Sequence, residues 1–107
     1  MNKLQQEHGD WANKQFSSHF KDGIPNPMAP FYHLVDPSKG EVWELLEALK
    51  SGNYQRIALE LADCQLLLYS IAHLCGVDLE KSAEYKFMVN RNRSWGQPDV
   101  DGIVEHV

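Results

Sequence analysis

Two pairs of acidic residues carry most of the chemistry available in this sequence. Glu41 and Glu44 stand three apart in Gly40-Glu41-Val42-Trp43-Glu44-Leu45-Leu46-Glu47, and Glu60 and Asp63 stand three apart in Glu60-Leu61-Ala62-Asp63. Residues at i and i+3 of a helix are surface neighbours, so each pair can close on one ligand. Four carboxylates converging from two helices need a cation among them. Magnesium fits that donor set: it prefers hard oxygen ligands, keeps several waters, and is commonly shared between one or two carboxylates and substrate phosphates. The quartet therefore predicts a magnesium site for a nucleoside triphosphate. Bound ions there neutralise phosphate oxygens and lower the pKa of a bound water, while a carboxylate left free orients that water as general base.

The surroundings of the two pairs differ. Taken alone, Glu41, Glu44 and Glu47 read as the solvated acidic start of a helix. Glu60 and Asp63 do not, because they are the only acidic residues between Ile57 and Val77 in an otherwise apolar stretch. An isolated carboxylate in such a setting is strongly penalised or takes up a proton. Pairing with metal removes the penalty.

The elements that position these acids can be placed from periodicity and breakers. Leu4, Trp11, Phe16 and Phe20 suggest an amphipathic helix over about residues 2–20, bent near Gly9. Residues 21–37 contain Gly23, Pro25, Pro27, Pro30 and Pro37 and are expected to form a long loop carrying Phe31, Tyr32 and His33. The second helix is expected to start near Ser38, with Ser38 and Glu41 as a capping box and Val42, Leu45, Leu46 and Leu49 as its core stripe, and to end at Gly52. Trp43 flanks that stripe beside the acids and is the aromatic residue best placed to meet a substrate.

The third helix, about Tyr54 to Cys75, is expected to bury Ile57, Leu61, Cys64, Leu68, Ile71, Ala72 and Cys75, with Leu59 and Leu66 nearly opposite. One small chain can hardly cover so much apolar surface, and this predicts a homo-oligomer. Asp78 is placed to cap a fourth helix running to about Arg93, on which Lys86, Asn90 and Arg93 share a face suited to phosphate. Residues 95–107 are read as an irregular tail.

At 107 residues, 43% hydrophobic and 23% charged, the chain is expected to be one globular domain. Its net charge of −5 argues against an open grip on a nucleic-acid polymer. Cys64 and Cys75 lack zinc-like spacing and an activating neighbour, so buried reduced thiols are expected. No secretory signal and no run of about 20 apolar residues is evident, from which a cytoplasmic protein without membrane contact is expected.

In order and spacing, the two acidic motifs and the Lys86-x-x-x-Asn90-x-x-Arg93 helix resemble the MazG-like all-α nucleoside triphosphate pyrophosphohydrolases. The helix at Gly40 to Glu47 is similar to that of the dCTP pyrophosphatase branch. The segment from Asn90 through Trp95, Pro98-Asp99, Asp101-Gly102 and Glu105-His106 is similar to the bacterial and phage dATP/dGTP diphosphohydrolase branch. The resemblance implies an all-α fold of four helices, assembled as a homodimer or homotetramer. It implies Glu41, Glu44, Glu60 and Asp63 as ligands of magnesium, with manganese as a substitute, and Lys86, Asn90 and Arg93 at the phosphates or sugar. The implied reaction is hydrolysis of a dNTP or NTP to the monophosphate and pyrophosphate, in the service of nucleotide-pool control. A helical binding module without catalytic activity is the alternative from a different functional class.

Overall fold

The computed structural model describes residues 2–107. Among these, five α-helices are present where four were expected: α1 Lys3–Gln15, α2 Met28–Val35, α3 Glu41–Ser51, α4 Tyr54–Leu74 and α5 Leu79–Arg91. The extra helix, α2, lies inside the presumed proline loop. Pro27 is its N-cap and Pro30 falls in its first turn, where a missing N–H removes no intrahelical bond. Counting prolines as breakers concealed it.

The first helix ends at Gln15, where Phe16 turns to extended backbone. A 3-10 turn, Ser17–His19, and a two-stranded antiparallel hairpin, β1 Phe20–Lys21 and β2 Ile24–Pro25, follow. The hairpin turn is Asp22-Gly23, with φ of 53° and 75°, the left-handed pair that a tight two-residue turn requires. Helix α1 runs without interruption through Gly9. A Cβ there would lie 2.3 Å from the His73 ring, so the glycine serves close packing of α1 on α4.

Gly40, not Ser38, is the N-cap of α3, and it supplies no side-chain cap. The expected capping box does not form, because Ser38 is engaged elsewhere: its N–H and Oγ both donate to Asp36 Oδ1, at 2.9 and 2.8 Å, and the Lys39 N–H joins them at 3.1 Å. A Cβ on Gly40 would meet the Asp36 backbone N at 2.5 Å, so the chain doubles back here too tightly for a side chain. Two other helix ends agree with the sequence: Gly52 closes α3 in the left-handed conformation and Asp78 caps α5. Asn53, not singled out from the sequence, caps α4.

Helices α1, α2 and α3 pack on α4, which is the central element. The buried apolar core is small and made largely of alanine: Ala12, Leu34, Ala48, Leu67 and Ala72. Two expectations about burial are corrected. On α3, Ala48 is buried while Val42 and Leu49 are exposed. On α4, Leu67 and Ser70 turn towards the other helices, with Asp63 on the same stripe but itself exposed, while Leu61 and Leu68, expected in the core, are 52% and 41% exposed. Cys75, expected as a buried thiol, is exposed as well. Leu67 is buried and Glu60 half-buried.

Helix α4 is also long and apolar enough to cross a membrane, contrary to the expectation that no such stretch exists. Glu60 and Asp63 interrupt any uninterrupted apolar run, but across the whole helix they are outweighed. A central helix covered by three others has the same composition. Helix α5 has no buried residue, and the radius of gyration, 16.1 Å, exceeds the roughly 13 Å of a compact chain of this length. It projects from the α4–α5 turn, together with a tail tied by an isolated bridge between Trp95 and His106.

Candidate active site

Glu41 opens α3, and Glu60 and Asp63 lie one turn apart on α4. Where the two helices pack, one ligand oxygen from each of these three acids lies within 4.8 Å of the other two. Glu44 falls outside that set, one turn further along α3, though near enough to act on Glu41 electrostatically. Glu41 is only 22% exposed, and its carboxyl is raised above its ordinary range first by burial and next by the Asp63 charge, against the influence of His33. Glu60 Oε2 is buried and has no hydrogen-bond partner. A residue with an orphaned carboxylate oxygen grouped with two more acids offers a set of hard oxygen donors whose spacing suits a divalent ion.

A cavity of about 210 Å³ opens from this cluster, lined by Glu41 and Asp63 together with His8, Trp11, Phe16, His33, Leu66, Leu67 and Ser70. Trp11 and Phe16 meet edge to face with centroids 5.6 Å apart, and His8 tilts against Trp11 at 5.6 Å. The wall is therefore aromatic on the α1 side, apolar along α4 and acidic at one end. His8 Nδ1 lies 3.4 Å from Ser70 Oγ, and His33 Nε2 lies 3.5 Å from Glu41 Oε1. Burial first, then His73, lowers the His8 pKa. The Cys64 thiol is pushed up by burial and then by Glu41, Glu60 and Asp63, which keeps it protonated and unreactive.

The other residues singled out from the sequence lie elsewhere in the single chain. Trp43 is exposed on α3 and does not line the cavity, and neither do Lys86, Asn90 or Arg93. Arg93 Nη1 sits 3.5 Å from His106 Nδ1, the Asn90 carbonyl accepts from Trp95 Nε1 at 2.9 Å, and Asn90 Oδ1 is buried without a partner. His8 and Ser70 were not identified from the sequence. A signal existed for both: His8 precedes Trp11 by three on α1, and Asp63, Leu67 and Ser70 follow the i, i+4, i+7 pattern of one helical stripe.

No family model matches the chain. Over 86 residues, 75% of this chain and 81% of the relative, it is 31% identical to a dATP/dGTP diphosphohydrolase of Cyanophage S-2L. The chain belongs to the MazG-like pyrophosphohydrolases. The fold agrees: a solved structure of the Cyanophage S-2L MazG-like pyrophosphohydrolase, bound to dGDP and three catalytic Mn2+ ions per active site, superposes with a TM-score of 0.69 at 27% identity. That match covers 98% of this chain and 90% of the other. The architecture of this MazG-like chain is thus mostly helical with five helices, and its acidic cluster sits where α3 and α4 meet.

Proposed function

We propose that the chain is a divalent-metal-dependent hydrolase that converts a deoxynucleoside triphosphate to its monophosphate and pyrophosphate. The observation that carries this reading is the partnerless, buried Glu60 Oε2 grouped with Glu41 and Asp63 at the end of an aromatic cavity. Acids alone would suit any cation. Acids beside a stacking wall suit a cation that arrives with a nucleotide, because aromatic faces grip nucleobases whatever their sequence. Kinship with a dATP/dGTP diphosphohydrolase, and with a structure holding dGDP and Mn2+, supports a purine deoxynucleotide and a magnesium or manganese ion.

Glu41, Glu60 and Asp63 would hold the metal, with Glu44 within reach one turn along α3. When bound, the ion supplies charge neutralisation of the phosphate chain and activation of a water. Trp11 and Phe16 stack on the base and keep bulk water from it. The water oxygen bonds to the α phosphorus while the bond from that phosphorus to the bridging oxygen breaks, its electron pair leaving with pyrophosphate. A carboxylate oxygen of the cluster takes the water's proton.

The working unit in this reading is a homodimer or homotetramer. Leu61 and Leu68 on α4 and Val42 and Leu49 on α3 leave apolar surface that a second copy would cover. Helix α5, unburied in the single chain, is then the element that brings Lys86, Asn90 and Arg93 to the phosphates. The test is pyrophosphate release from each dNTP and NTP in the presence of magnesium. Release that is strongest with dATP or dGTP and lost in Glu60→Ala supports the reading. No release from any triphosphate leaves only a helical binding module.

A further inference from the structure

A second hollow, about 300 Å³, adjoins the first. It is lined by Tyr32, His33, Asp36 and Lys39, so His33 forms part of both walls. His33 also stands 3.5 Å from Glu41, which puts the second hollow one side chain away from the acidic cluster. The first cavity, which takes the base, is lined by no lysine or arginine. The second hollow has one, the Lys39 ammonium, with the Tyr32 phenol as a second hydrogen-bond donor. Both side chains are exposed to an incoming ligand.

The loop that carries Lys39 is held firmly. Asp36 Oδ1 accepts from the Ser38 N–H, the Ser38 Oγ and the Lys39 N–H, and the Ser38 bonds, side chain before backbone, hold the Asp36 carboxyl below its usual range. Gly40 then allows the chain to pass directly over the Asp36 backbone into α3. One carboxylate thereby fixes both the position of Lys39 and the start of the helix that begins with Glu41. Its charge also shapes the ligand: beside Asp36, an anion partly neutralised by a divalent cation is favoured over a bare one.

Resting on the hydrolase reading above, we infer that this hollow receives the leaving pyrophosphate, with Lys39 and Tyr32 binding its oxygens. A triphosphate stacked on Trp11 and Phe16 and cleaved at the acids sheds its two terminal phosphates next to the cluster. The hollow beyond His33 offers them an ammonium within the same chain. An ammonium–phosphate contact is a charge-assisted hydrogen bond, stronger than a neutral one, and its loss is expected to weaken pyrophosphate about tenfold.

The experiment titrates magnesium pyrophosphate into the full chain by calorimetry and measures inhibition of dNTP hydrolysis by pyrophosphate and by the deoxynucleoside monophosphate. Lys39→Ala is expected to raise the pyrophosphate dissociation and inhibition constants about tenfold while leaving monophosphate inhibition unchanged. Lys39→Arg is expected to restore most of the affinity, and Lys50→Ala, at the far end of α3, to change nothing. Circular dichroism confirms folding, which an exposed lysine does not control. Hydrolysis by the wild type with pyrophosphate affinity unaltered in Lys39→Ala overturns this inference alone. Absence of hydrolysis by the wild type overturns the hydrolase reading and the inference together.

Discussion

Asp63 on α4 is, after burial itself, the strongest influence raising the carboxyl of Glu41 on α3. Two acids on separate helices are held close beside the orphaned Glu60 oxygen, and His33, 3.5 Å from Glu41, only partly offsets their repulsion. Such an arrangement opposes folding unless a ligand compensates it.

The stability of the metal-free chain should therefore improve when one charge is removed. For a carboxyl whose pKa is higher in the folded than in the unfolded state, the penalty is fully present above the folded pKa and fades as pH falls through it towards the unfolded value. At neutral pH in chelator, Glu41→Gln is expected to raise the melting temperature by a few degrees, on the order of 1 kcal/mol. Magnesium should stabilise the wild type, by about 2.7 kcal/mol at a concentration 100 times its dissociation constant, and the variant much less. Calorimetric scans with and without magnesium check both expectations.

Packing of His73 on Gly9 sets where α1 lies on α4, and so where His8 and Trp11 meet the cavity. A methyl at position 9 would fall 2.3 Å from the ring, whose side chain is 15% exposed and paired with Asp10 at 3.4 Å. Gly9→Ala is expected to cost about 1–3 kcal/mol in urea denaturation. It should also raise the Michaelis constant for the nucleotide, since the aromatic wall moves with α1. Unchanged values of both would show that this close approach is not a constraint.

Acid sensitivity should come from two histidines. His8 and His19 both have pKa values lowered from 6.5, in each case chiefly by burial and then by other histidines: His73 for His8, and His33 and His8 for His19. His19 is 4% exposed and its Nδ1 has no partner. Below about pH 6.5 the unfolded imidazoles take up protons while the folded ones stay neutral, so the unfolded state binds more and stability falls with pH. The Glu41 effect has the opposite sign, its raised carboxyl relieving the penalty as pH falls. Melting temperatures between pH 7.5 and 5.5 should drop, and His8→Asn should flatten the slope.

Assembly can be tested at the leucines that α4 turns outward. Leu68→Glu, alone or with Leu61→Glu, is expected to convert an oligomer to monomer in sedimentation equilibrium, because a charge in a covered apolar face costs several kcal/mol. A wild-type chain that sediments as a monomer contradicts the proposed assembly.

Much of the helical layout was legible in local chemistry. Gly52 and Asp78 mark helix ends by their own conformational and capping preferences, and the structure uses both as read. The acids at i and i+3 announced themselves because Glu60 and Asp63 interrupt an apolar helix. Tertiary relations were not legible. Nothing local in Gly9 says that a histidine 64 positions later rests on it. Helix α2 was hidden because Pro27 and Pro30 fall at the one end of a helix that tolerates proline. The facing of α4 differs from the expected stripe for another reason: the helix packs through Leu67 and Ser70, on the stripe that continues from Asp63, and Leu61 and Leu68 are left exposed.

The most direct measurement is anomalous diffraction from crystals grown with manganese and a non-hydrolysable deoxynucleoside triphosphate. Manganese peaks bounded by Glu41, Glu60 and Asp63, with the base against the aromatic wall of Trp11 and Phe16, are the predicted result. Peaks confined to other acidic residues, or a nucleotide bound away from this cavity, would contradict it.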